Sequence, residues 1–134
     1  MTDRVPRGPR ILLVEDEPAN RALVRAIIAR TDHAELGGIV LHEAATIAEA
    51  RTVLASHPVD IVLVDVRLPD GNGLDLATEL RARPDAGRAK VVIVSASVLP
   101  AERTSALATG ADAFLAKPFD PKDLVELIVR LSGS

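Results

Sequence analysis

Ile61-Val62-Leu63-Val64-Asp65 is a run of four aliphatic residues closed by a carboxylate. Valine and isoleucine favour extended backbone because branching at Cβ packs well on a pleated surface. An unbroken aliphatic run, rather than an alternating one, marks a strand covered on both faces, as in a parallel sheet. The same phrase recurs on either side of it. Upstream, Ile11-Leu12-Leu13-Val14 ends in Glu15-Asp16; downstream, Val91-Val92-Ile93-Val94 ends in Ser95, and Ala113-Phe114-Leu115-Ala116 ends in Lys117-Pro118. Ligands of open parallel sheets bind beyond the carboxyl ends of the strands. Three carboxylates, a hydroxyl and an ammonium therefore converge on one edge, a donor set for a divalent cation and a phosphoryl group.

Between these strands the pattern turns helical. Helices are expected over 18–30, with Ala22, Leu23, Ala26 and Ile27 at helical spacing, over 74–83, over 100–110 and over 121–131. Another follows Thr46, an N-cap with Glu49 three residues on in capping-box spacing, and ends near Ser56. A less apolar strand over 39–42 belongs nearer a sheet edge, and Gly37-Gly38 breaks the chain ahead of it. The segment 66–73 is dense in turn formers, and 84–88 is a second loop. Five strand-then-helix units with right-handed crossovers make an α/β fold, a doubly wound five-stranded parallel sheet. Residues 1–9, broken by two prolines and a glycine, read as a flexible leader, and 10–134 as one domain.

The composition narrows the chemistry. No cysteine is present among 134 residues, which removes disulfides, zinc–thiolate sites and thiol catalysis. A net charge of -3 gives no basic footprint for nucleic acid. Phe114 and Phe119 stand without any Tyr or Trp, too few aromatic faces for base stacking or a flavin. No apolar stretch approaches the roughly 18 residues of a membrane span, and the N-terminus lacks a signal-peptide centre. These absences point to the cytoplasm, with no nucleic-acid or membrane partner.

Taken together, Glu15-Asp16, Asp65, Ser95, Phe114 and Lys117-Pro118, with the loop Leu68-Pro69-Asp70-Gly71-Asn72-Gly73, resemble in order and interval the receiver domain of two-component response regulators. The likeness covers 10–131 and is to the stand-alone, single-domain type. It implies a flavodoxin-like (βα)5 fold of strand order 2-1-3-4-5. It implies that Asp65 accepts a phosphoryl group, a carboxylate being able to attack phosphorus and form an acyl phosphate. It further implies that Asp16, Asp65 and the backbone carbonyl of Arg67 ligate Mg²⁺ (or Mn²⁺), with Glu15 acting through water. Glu15 departs from the family's usual paired aspartates. Lys117 would bridge a phosphoryl oxygen as a point charge, with a cis bond to Pro118. Ser95 would donate its hydroxyl, and Phe114 would turn as the switch. Read singly, Asp65 is a solvated strand-end acid, Glu15 an acid at a helix N-terminus, Lys117 an exposed cation and Phe114 core.

By the same resemblance the donor is a phosphohistidine on a sensor histidine kinase or phosphotransfer protein. The signal leaves through the helix 4–strand 5–helix 5 face to an effector protein. Catalysis is confined to the domain's own phosphorylation and dephosphorylation, so it is not an enzyme in the usual sense. Since the sequence stops at Ser134, soon after helix 5, no output domain is expected, and the apolar run 124–129 suggests a docking surface, although most of it must cover the sheet. Leu127 stands where the dimerising DNA-binding subfamily has an arginine, which favours a monomer or weak homodimer. Arg67, two positions past Asp65, is expected to screen the acyl phosphate and slow hydrolysis; an unchanged dephosphorylation rate in Arg67→Ala would remove that expectation. His33, His42 and His57 fit no ligand spacing and read as surface or loop residues. Arg21, Arg25, Arg30, Arg81 and Arg83 read as solvated faces, Arg21 and Arg25 also as kinase contacts, and Phe119 as core. A phosphatase-like reading wants an acid at 67 and a substrate-covering cap; a pseudo-receiver has lost part of its site; an FMN carrier would not place Glu15-Asp16-Glu17 where phosphate sits.

Overall fold

The computed structural model describes residues 8–31, 38–82, 89–96 and 99–132. The expected leader up to residue 7, His33, Gly37, Arg83 and the loop 84–88 lie outside the described residues. Gly8 and Pro9, assigned to the leader, are instead buried, because the Pro9 carbonyl accepts Val40 N–H at 3.3 Å.

Five strands form one sheet: β1 (Arg10–Val14), β2 (Val40–Ala44), β3 (Ile61–Asp65), β4 (Lys90–Ser95) and β5 (Ala113–Ala116). Their order is β2-β1-β3-β4-β5 and every pair is parallel, the doubly wound arrangement expected. The helices are α1 (Pro18–Arg30), α2 (Ile47–Ser56), α3 (Gly73–Ala82), α4 (Pro100–Ala108) and α5 (Pro121–Ser132). Alternate strand residues feed opposite faces. Ile11, Leu13, Ile61, Leu63, Val92 and Val94 pack with Val24 and Ile27 of α1 and Leu124, Leu127 and Ile128 of α5. Leu12, Val14, Val62, Val64, Val91 and Ile93 pack with residues of α2, α3 and α4. Most of these strand residues are fully buried, at roughly 1.5–3 kcal/mol for each large side chain. The rigid sheet fixes where its strand ends point.

Several expectations need correction. In α1 the inward stripe is Val24 and Ile27, while Ala22, Ala26 and Leu23, 43% exposed, lie on the outer flank. The second strand runs two residues past His42, because Glu15 N–H donates to Ala44 O at 2.9 Å and extends the ladder with β1. Thr46 caps α2 by accepting Glu49 N–H at 3.0 Å, but the Glu49 carboxylate accepts from Ala45 N–H rather than from Thr46. The loop after β3 carries a two-residue antiparallel ladder, Arg67–Leu68 against Gly71–Asn72. His42 is a strand residue, its ring stacked on that of His57 at 4.4 Å. Arg81 is no solvated residue: it donates to Ala89 O and lies 3.7 Å from Asp112. Most of the run 124–129 covers the sheet, as expected: Leu124, Leu127 and Ile128 are buried and Val125 and Val129 pack against them.

Candidate functional site

The carboxyl ends of β1, β3, β4 and β5 bring Glu15, Asp65, Ser95 and Lys117 to one edge of the sheet. Burial there is unusual for such groups: Glu15 is 3%, Asp65 8% and Ser95 6% exposed. Buried charge is costly unless paired, and Lys117 supplies the pairing. Its Nζ donates to Asp65 Oδ2 at 2.5 Å and to Glu15 Oε1 at 2.8 Å. Burial pulls the Lys117 ammonium's pKa down, but the hydrogen bonds to Asp65 and Glu15 outweigh it and hold the pKa above the ordinary lysine value. Lys117 is therefore a fixed cation throughout the neutral range.

The backbone holds these side chains in place. Lys117 N–H donates to Ser95 O at 2.8 Å, which locks the ends of β4 and β5 together, and the Lys117–Pro118 bond is cis, as expected. Asp65 Oδ1 accepts Arg67 N–H at 3.0 Å, and Glu15 Oε2 accepts Glu17 N–H at 3.1 Å. Arg67 itself is exposed and sits in the two-residue ladder. Gly73 opens α3 directly against the end of β3. A Cβ at that position would lie 2.0 Å from Asp65 O, so only glycine permits the approach.

Three carboxylates, those of Glu15, Asp16 and Asp65, each present an oxygen within 4.8 Å of the others, with Asp16 exposed at the mouth. Three acids face one ammonium, an excess of negative charge in an all-oxygen donor set. That chemistry fits a hard divalent cation such as Mg²⁺ or Mn²⁺.

Phe114 is half-buried, with the Arg103 guanidinium 5.3 Å above its ring centroid. The ring divides two grooves. One, of about 480 Å³, runs past Arg67, Ser95 and Glu102; the other, of about 540 Å³, faces outward between α4 and α5 past Leu107 and Arg130. Phe119 packs on the α1–α5 side of the core, as expected.

Sequence reading missed four contributors. Arg21 donates to Glu15 O at 2.8 Å, steadying the acid-bearing turn, and with Arg25 it clasps Glu43, so neither is merely solvated. For Gly73 and Asp70 the sequence shows a turn-rich loop that fits the receiver pattern, not the contacts each one makes. The Asp70 carboxylate accepts Ile47 N–H at 2.9 Å and Ala48 N–H at 3.0 Å. An Asp in a tight turn was the available signal, but its partner lies on a distant helix.

The family model for the response regulator receiver domain matches residues 11–129. The transcriptional regulatory protein AruR of Pseudomonas aeruginosa is 34% identical over 118 residues, covering 87% of this chain and 46% of that protein. The aerobic respiration control protein ArcA of Escherichia coli is 32% identical over 116 residues, covering 87% and 45%. The chain thus spans about half the length of these curated relatives. Among solved structures, the receiver domain of a Pseudomonas aeruginosa sensor histidine kinase is 31% identical. It has a TM-score of 0.80, covers 95% of this chain and 99% of that one, and holds a magnesium ion in its active-site cleft. The signal receiver domain of a Syntrophus aciditrophicus histidine kinase, 26% identical, has a TM-score of 0.83 over 94% of this chain and 91% of that one.

Proposed function

The chain belongs to the response regulator receiver domain family, and from that premise we propose that it is a phosphorylation switch in a two-component system, with Asp65 as phosphoacceptor. The observation that carries this reading is the Lys117 ammonium held between Asp65 and Glu15, beside an acid cluster able to hold a divalent cation.

An Asp65 carboxylate oxygen attacks the phosphorus of a phosphohistidine on a sensor kinase or phosphotransfer protein. A P–O bond forms, the P–N bond breaks, and the electron pair returns to the imidazole nitrogen. Lys117 stays charged and can follow the phosphoryl oxygens, moving its partnership from carboxylate to phosphate. Asp16, Asp65 and the Arg67 carbonyl would hold Mg²⁺, with Glu15 behind them. Bound there, the ion supplies charge neutralisation for the transferring phosphoryl group. Ser95 donates its hydroxyl to the new dianion, and Phe114, standing between two grooves, turns toward the site. The α4–β5–α5 face then changes its fit to an effector. Water resets the switch by hydrolysing the acyl phosphate, so catalysis is limited to the domain's own modification. Among the described residues no helix is long and apolar enough to cross a membrane, and we place the switch in the cytoplasm.

Intact mass after incubation with acetyl phosphate and Mg²⁺ tests the reading. Wild type should gain about 80 Da, one phosphoryl group, and Asp65→Asn or chelation should abolish the gain. An unmodified wild type would overturn the switch and leave a constitutive interaction module.

A further inference from the structure

The loop after Asp65 is fastened at three points. Its start is pinned by Arg67 N–H on Asp65 Oδ1, its end by Gly73 N–H on Val66 O at 2.8 Å. The third fastening leaves the site altogether. At the tip, Asp70 spreads its two oxygens over Ile47 N–H and Ala48 N–H, the first two amides of α2. Those amides have no partner within their own helix, and a carboxylate there is favoured by the helix dipole. The Ile47 amide first, and the Ala48 amide with it, hold the Asp70 carboxyl below the ordinary range despite some desolvation. Thr46, the cap within the helix, serves a different amide, Glu49 N–H, so the helix cap and the Asp70 anchor can be removed one at a time. Contact beside it is close: a Cβ on Gly71 would lie 2.9 Å from Ile47 Cδ1. Arg51 of α2 also reaches Glu79 of α3 at 2.8 Å, so α2 grips the helix beyond the loop as well.

We propose that Asp70 is a positioning residue for the cation site: by anchoring the β3–α3 loop to the N-terminus of α2, it fixes the Arg67 carbonyl against Asp65. The inference rests on the phosphorylation-switch reading and deepens it. Arg67 and Leu68 pair with Asn72 and Gly71, so the ladder moves as a unit, and Asp70 sits in the turn that joins its halves. Without the anchor the ladder is held only at its base, by Arg67 N–H on Asp65 and Gly73 N–H on Val66 O, and its tip is free to swing. The carbonyl then samples positions away from the acid cluster, and the ion loses a preorganised ligand. Outer partners of metal ligands typically matter by 10–100-fold in affinity, and an anchor acting through a loop belongs at the lower end.

The test is Mg²⁺ titration by calorimetry on the full chain as wild type, Asp70→Ala, Asp70→Asn and Thr46→Ala, with phosphorylation by acetyl phosphate followed across Mg²⁺ concentration. Asp70→Ala should bind Mg²⁺ about 10-fold more weakly, need correspondingly more Mg²⁺ for half-maximal rate, and reach the wild-type rate at saturation. Asp70→Asn, which keeps an acceptor oxygen, should fall between, and serves if the alanine variant does not fold. Thr46→Ala loosens α2 without freeing the loop and should keep wild-type affinity. Affinity within two-fold of wild type in both Asp70 variants, or an equal loss in Thr46→Ala, would overturn the proposal and leave Asp70 a helix cap. A wild type that neither binds Mg²⁺ nor accepts phosphate sinks the switch itself, and this inference with it.

Discussion

The two edges of the sheet use the same residue types to opposite ends. At the amino edge Asp60 accepts from Arg10 N–H at 2.8 Å and from its guanidinium Nε and NH2 at 2.9 and 3.0 Å. Asp112 there accepts Val91 N–H at 2.8 Å with Arg81 nearby. Each acid has a cation and a backbone donor. At the carboxyl edge Glu15 and Asp65 share Lys117, and Asp16 adds a third carboxylate beside them. The side chains of the Arg10–Asp60 pair are 41% and 42% exposed, whereas those of Lys117, Asp65 and Glu15 are 17%, 11% and 4% exposed. Solvent could have screened a surplus of charge at the amino edge, yet the surplus lies where burial makes it costly. A balanced edge holds a fold; an unbalanced, buried one is poised for a ligand that brings positive charge.

The contrast is broken most severely at Lys117. Lys117→Ala should slow phosphorylation by acetyl phosphate about 100-fold or more, the scale of removing one charge-stabilising donor from a transition state, measured by intact mass against time. Arg10→Ala at the other edge should leave that rate within two-fold. Next is Gly73→Ala. Its methyl group would meet a backbone carbonyl that cannot swing aside, which should cost about 3 kcal/mol in urea unfolding.

The amino and carboxyl edges should also fail at opposite ends of the pH scale. The Arg10 hydrogen bonds hold Asp60 below its ordinary 3.8 against a smaller desolvation effect. Its contribution is therefore present above that value and lost as pH falls through the folded pKa. Lys117 lies above its ordinary 10.5, so its contribution is complete below that value and lost as pH rises through the folded pKa. Asp60→Asn should remove a stabilisation of at most about 1 kcal/mol at pH 7, given the pair's exposure, and less than that at pH 2. Equal losses at both pH values would mean that Asp60 acts by packing alone.

How far this was legible follows from the same physics. The bounds of β3, β4 and β5 were readable because aliphatic runs buried on both faces stop where polar residues begin. The acid cluster and Lys117 were readable because each stands at such a stop. The inner stripe of α1 was not: Ala22, Leu23, Val24, Ala26, Ile27 and Ile28 are apolar around much of the helix, so periodicity selects no single face. Asp70, Glu43 and Arg81 were missed for another reason. Their roles exist only through partners on other elements, and a turn acid or helix arginine looks the same with or without one.

The smallest prediction sharpens the comparison most, because it reverses a sign. Asp16 is exposed and adds a third carboxylate to a cluster that has one ammonium. Neutralising it relieves repulsion. Asp16→Asn should therefore raise stability by about 0.5 kcal/mol in chelator, as expected for an exposed charge, while Asp60→Asn lowers it. Added Mg²⁺ should cancel the gain, because the ion stabilises wild type by binding its folded form and the variant has lost a ligand. Chemical unfolding with chelator and with Mg²⁺ reads both arms. If Asp16→Asn destabilises in chelator, the carboxyl edge carries no repulsion to relieve, and the charge surplus is no mark of a poised site.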